Sequence, residues 1–130
     1  MIVVDTSVIV AIALDEPIAT VLLTCLMSTT ARELSMASYV EAATVLTPRG
    51  VTHARIDDLL GQLDIALIPV DETQGREAIR ARIAYGKGSG HPAQLNFGDT
   101  FTYALAKTRG APLLFVGDDF SRTDLIDARA

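Results

Sequence analysis

The sequence has no tryptophan, a single cysteine, only 5% aromatic residues and no excess of basic charge. One cysteine excludes an internal disulfide framework and a cysteine-rich zinc site. The longest uninterrupted apolar stretch, Val8 to Leu14, is far too short for a bilayer-spanning helix. The first basic residue is Arg32 and Asp5 interrupts the opening apolar run, so no secretory leader is expected and a cytoplasmic location is. Eleven Lys+Arg face 16 Asp+Glu, a net charge of -5 that lacks the basic footprint usual for phosphate recognition. What is present is globular: 49% hydrophobic and 21% charged residues over 130 positions predict one domain spanning 1–130.

Short apolar runs alternate with helical patterns. Met1 to Val4 reads as a buried strand ending at Asp5, and Asp5-Thr6-Ser7 supplies helix-cap residues before Val8 to Leu14. Pro17 is expected to open a second helix. Glu33 to Ala37 reads as a strand, followed by a helix from Ser38 to Leu46 that Pro48 and Gly50 stop. Ile56, Leu59, Leu60 and Leu63 mark an amphipathic helix over Thr52 to Leu63. Ala66 to Val70 is the next strand, Asp71 to Tyr85 a helix, and Gly86 to Pro92 a loop. Asn96 caps a helix over Phe97 to Arg109, and Leu113 to Val116 is the last strand. This alternation predicts a three-layer α/β domain with a mainly parallel central sheet.

Ligands in such sheets sit beyond the carboxyl ends of the strands. Asp5 follows the first strand, Glu41 lies one helical turn past the second, Asp99 opens the helix before the last strand, and Asp118-Asp119 follow that strand. Each has a structural role open to it: Asp5 as a cap, Ser38-x-x-Glu41 as a capping box, Asp99 at a helix dipole, Asp118 and Asp119 in a turn. Together at one sheet edge they would repel unless a cation compensated them. Oxygen donors without His or Cys select Mg²⁺ or Mn²⁺, which can activate water and stabilise phosphoryl displacement.

Four segments in this order resemble the PIN domain, and within it the VapC-type toxins of bacterial type II toxin–antitoxin (VapBC) pairs. They are Met1-Ile-Val-Val-Asp-Thr-Ser7, Ala37-Ser-Tyr-Val-Glu41, Leu95 to Ala106, and Pro112 to Phe120 trailed by Thr123-Asp124. The resemblance implies a metal-dependent endoribonuclease with an RNA substrate (tRNA, rRNA or mRNA), held inactive by a cognate VapB-type antitoxin and forming a homodimer. Asp5, Glu41 and Asp99 match the family's first three acids. The fourth falls on Asp119 or Asp118, with Asp119 favoured because relatives with this ending resemble Gly-x-Asp-Phe. In this reading Asp5, Asp99 and Asp119 serve the Mg²⁺ or Mn²⁺, and Glu41 orients or deprotonates the attacking water. A catalytically inactive PIN-fold protein-binding module is the alternative. Receiver-type phosphoacceptors place their acid pair after the first strand, and haloacid-dehalogenase-like phosphatases need Asp where Ser7 stands.

Ser7 and Thr6 are open to two roles, capping the helix or hydrogen-bonding water and phosphate at the metal. His53 and His91 are expected to be exposed bystanders, and Cys25 to pack in the core. Gly86-Lys-Gly-Ser-Gly90 lacks the spacing of a phosphate loop. Arg76 and Arg80, with Arg82 and Lys87 nearby, form the densest basic stretch, a solvated face or an RNA-phosphate contact. The apolar helices over Pro17 to Met27 and Thr52 to Leu63 are expected to offer a dimer surface or a groove for an antitoxin helix.

Overall fold

In the computed structural model, which describes residues 1–130, the opening β-branched run forms an inner strand of a four-stranded sheet. The strands are β1 (Ile2–Val4), β2 (Arg32–Ser35), β3 (Ile65–Ile68) and β4 (Leu113–Leu114). They lie in the order β3-β2-β1-β4, with every neighbouring pair parallel. The helices are α1 (Thr6–Ala13), α2 (Ala19–Met27), α3 (Met36–Leu46), α4 (His53–Gln62), α5 (Glu72–Tyr85) and α6 (Phe97–Arg109). The chain moves outward from β1 to β3, then crosses to β4 on the far side of β1. That reversal opens a crevice between the carboxyl ends of β1 and β4.

Side chains alternate between the two faces of each strand, and the inner strand β1 is buried on both. Ile2, Val4 and Leu114 join Val8, Ile9, Leu22, Leu46 and Ile56 in a core under α1 to α4. Val3, Leu113 and Phe115 join Ala81, Leu105 and Ala106 in a second core under α5 and α6. Each fully buried Leu or Ile there contributes about 1.5–3 kcal/mol of transfer free energy. These are the three layers expected of the alternating pattern.

Several element ends differ from expectation, each for a local reason. The second strand stops at Ser35, whose hydroxyl accepts the Ala37 amide and caps α3. Ser38 therefore lies inside the helix, and the Ser38/Glu41 capping box does not form. Pro17 sits in a turn, and α2 starts only at Ala19. β3 runs from Ile65 to Ile68, because Pro69 has no amide to continue a ladder. β4 ends at Leu114 because the Val116 amide donates to Ser7 Oγ instead of to a strand. Ile56 and Leu60 of α4 and the adjoining Leu63 point into the core, so α4 offers little apolar surface. Most exposed large apolar side chains lie instead on α2 (Val21, Met27), on α3 (Met36, Val40, Val45) and along α5 and α6 (Ile79, Ile83, Phe97), with Met1, Leu67, Val70 and Ile126 outside these helices.

Candidate active site

Asp5 caps α1 directly beyond β1, so its carboxylate sits in the crevice at the switch point. Oδ2 accepts the Ser7 amide at 3.0 Å and the Ser7 hydroxyl at 2.6 Å, and Oδ1 accepts the Thr102 hydroxyl at 2.8 Å. Ser7 Oγ also accepts the Val116 amide at 3.0 Å, which ties the end of β1 to the segment after β4. Thr102 is on α6 and lies 2.9 Å from Ser38 Oγ on α3. Since the Thr102 proton goes to Asp5, Ser38 donates to Thr102. This buried relay fixes three elements around one carboxylate. Thr6 turns away, its hydroxyl donating to the Ser38 carbonyl at 3.1 Å.

Helix α6 leads back to the start of β4, so its N-terminal end lies at the same sheet edge as Asp5. Asn96 and Asp99 form a capping box there: Asn96 Oδ1 accepts the Asp99 amide at 2.9 Å, and Asp99 Oδ2 accepts the Asn96 amide at 3.0 Å. Asp99 is only 7% exposed. Burial pushes its carboxyl up to about 7, the Asn96 amide opposes this, and the charges of Asp5, Asp119 and Glu41 add to the rise. The Glu41 carboxylate, from α3, lies against Gly98 at the start of α6. Asp118 and Asp119 are exposed in the turn after Gly117, whose φ of 91° only glycine adopts freely. Asp119 is among the charges that raise Asp99. No Lys, Arg or His pairs with any of these five acids.

The remaining candidates lie elsewhere. His53 bonds the Tyr39 hydroxyl, which also donates to Asp57 at 2.5 Å. His91 Nδ1 accepts the Ala93 amide at 3.1 Å and its ring meets Tyr85 edge-on, shaping the glycine-rich loop. Cys25 is half-buried beside the Ala128 carbonyl. Arg76 and Arg80 pair with Glu72 and Glu77 on their own helix, so the basic stretch is partly neutralised in place. Arg82 donates to the Lys87 carbonyl. Thr102, Ser38 and Gly98 were not expected from sequence. Thr102 carries the one usable signal, sitting one turn after Asp99 and so on a similar face of α6.

A parallel sheet with four acidic positions gathered at its switch point is the architecture of a PIN domain. The family described as PIN domain matches residues 2–126, and the chain belongs to it. Within that family its relatives are VapC ribonucleases. It is 45% identical over 125 residues to ribonuclease VapC42 of Mycobacterium tuberculosis, covering 95% of each chain. It is 46% identical over 125 residues to ribonuclease VapC of Mycolicibacterium smegmatis, covering 95% of this chain and 96% of that one. The fold matches Mycobacterium tuberculosis VapC20, a sarcin–ricin-loop-cleaving toxin, with a TM-score of 0.77 at 17% identity and 98% coverage of both chains. A toxin–antitoxin complex from Klebsiella pneumoniae matches with a TM-score of 0.72 at 13% identity over 98% of both chains.

Proposed function

We propose that this protein is a divalent-metal-dependent endoribonuclease, the toxin of a type II pair, restrained by a VapB-type antitoxin. In this reading residues 1–130 act as one domain in the cytoplasm and pair as a homodimer. No helix is long and apolar enough to cross a membrane. The observation that carries the reading is the convergence of Asp5, Glu41 and Asp119 on the buried Asp99 without any cationic side chain to offset them. Relatives named as ribonucleases at 45–46% identity support the choice of chemistry.

The donor set fits Mg²⁺ or Mn²⁺, being carboxylate oxygen alone. No three acids are arranged to enclose an ion unaided. That suits a cation which keeps several waters and takes one or two carboxylates directly. Asp5 and Asp99 would be those two, with Asp119 reached directly or through water. When bound, the cation lowers the pKa of water and offsets charge building on the scissile phosphate.

The chain's own residues do the rest. Ser7 and Thr102 hold both Asp5 oxygens in one orientation, and the capping box holds Asp99. Glu41, partly exposed at the crevice, orients the attacking water and takes its proton on a carboxylate oxygen. Asp119, or Asp118 beside it, closes the site from the β4 side. Hydrolysis by water leaves the RNA 2′-hydroxyl unused and produces a 5′-phosphate.

The test is cleavage of structured RNA by wild type and Asp99→Asn, with Mg²⁺ or Mn²⁺ and with EDTA. Cleavage that EDTA and Asp99→Asn each abolish supports the reading. Activity that survives both overturns it, and no cleavage together with no cation binding in calorimetry of the metal-free protein points to the inactive protein-binding module.

A further inference from the structure

Gly98 occupies the second position of α6, where the backbone is ordinary helix and any residue would serve. Glycine there costs helix stability relative to alanine. The two other glycines inside helices, Gly61 and Gly75, face open space: a Cβ on either would meet nothing within 4 Å. Gly98 differs. A Cβ on it would overlap Glu41 Oε2 and stand 2.8 Å from Glu41 Cδ and 3.0 Å from Oε1. The whole carboxylate is therefore packed against the bare Cα, one residue before Asp99.

The carboxylate is the far end of a flexible side chain, so the fold does not need glycine here. A methyl group at 98 would be accommodated by Glu41 swinging aside, with no backbone displaced. The missing side chain matters only if Glu41 must stay where it is. We propose that Gly98 is a positioning residue, whose absent side chain forms the seat that holds the Glu41 carboxylate beside Asp99. This rests on the reading of Glu41 as the group that orients and deprotonates water.

The experiment compares Gly98→Ala with Gly75→Ala, by crystal structure, thermal melting and steady-state RNA cleavage. Gly98→Ala is expected to melt no lower than wild type, to show Glu41 rotated away from α6, and to lose roughly 100-fold in kcat with KM within about twofold. Gly75→Ala is expected to leave cleavage unchanged. Glu41→Asp draws the carboxylate back by one methylene, so adding Gly98→Ala to it should cost less than about threefold, a non-additive cycle. A Gly98→Ala structure with Glu41 unmoved overturns the proposal. So does full activity in Gly98→Ala while Glu41→Gln is inactive. Full activity in Glu41→Gln instead removes the role assigned to Glu41, and the displaced carboxylate in the crystal would still report the seat.

Discussion

Helix α6 meets an aspartate at each of two regions, and the two are pushed in opposite directions. At its N-terminal end, burial and three neighbouring acids raise Asp99 to about 7. Further along, Lys107 donates to Asp124 Oδ2 at 2.5 Å and Tyr103 to Oδ1 at 2.7 Å. Asp124 is held below the usual carboxylate range, first by the Lys107 bond and further by Tyr103, against some desolvation. The Tyr103 hydroxyl in turn is held well above its usual range by burial and by Asp124. Asp124 closes the C-terminal segment onto α6 with its charge matched. Asp99 closes the α6 capping box with Asn96 but has no cationic side chain to match its charge. The same residue type is a latch where it is paired and, in the function proposed above, part of the site where it is not.

The sharpest break in that comparison is Asp99→Asn. Loss of a carboxylate that would hold the metal should lower RNA cleavage by roughly 1,000-fold or more. The amide oxygen can still accept the Asn96 amide, so the cap survives. Metal-free stability should move the other way. Asp99 ionises at its ordinary value of 3.8 when unfolded but at about 7 in the fold. The unfolded state therefore releases the proton first, and wild-type stability falls as pH rises from about 4 to 7. The stability advantage of Asp99→Asn should be absent below about pH 4, grow through that window and level off above 7, as read by denaturant melts in EDTA.

Next in size is Thr102→Val, which removes the hydroxyl between Ser38 and Asp5. With Asp5 released from one of its supports, kcat should fall roughly 10- to 100-fold. Stability should drop by about 1–3 kcal/mol, because buried polar groups lose their partner. At the paired region, Tyr103→Phe removes only the bond to Asp124. It should cost about 1 kcal/mol in unfolding free energy and leave cleavage unchanged well below the melting temperature. The smallest effect belongs to reversing Arg76 and Arg80 to Glu. Each is already paired on α5, so RNA affinity should weaken modestly, with the salt slope of binding reduced by about one to two.

The first strand was legible because Ile2-Val3-Val4 is a β-branched run whose residues serve both cores. Val3 and Val4 go to opposite faces, and a continuous apolar run is the only pattern that serves both. The acid positions were legible because strand ends in an open parallel sheet converge. The start of α3 was not, because Ser35 and Ser38 are equally good caps by type, and only the length of β2 chooses between them. The end of β4 was not, because the Val116 amide is claimed by Ser7, 109 residues away in sequence. Thr102 and Gly98 fall in the same class. One reads as an ordinary helix residue and the other as a poor one, until α3 is packed beside them.

The net charge of -5 also takes on a local meaning. Asp5, Glu41, Asp99 and Asp119 account for most of the net charge of -5, and they stand together. In the function proposed above, a divalent cation neutralises this group. The most direct test is thermal melting of wild type and Asp99→Asn at a pH above 7, titrated with Mg²⁺ and with Mn²⁺ after EDTA treatment. Wild type should start lower and rise with metal, by about 2.7 kcal/mol in stability at 100 times the dissociation constant, while Asp99→Asn starts higher and stays nearly flat. Two curves that rise in parallel, or a wild type that ignores both metals, would show that the acids are not a cation site.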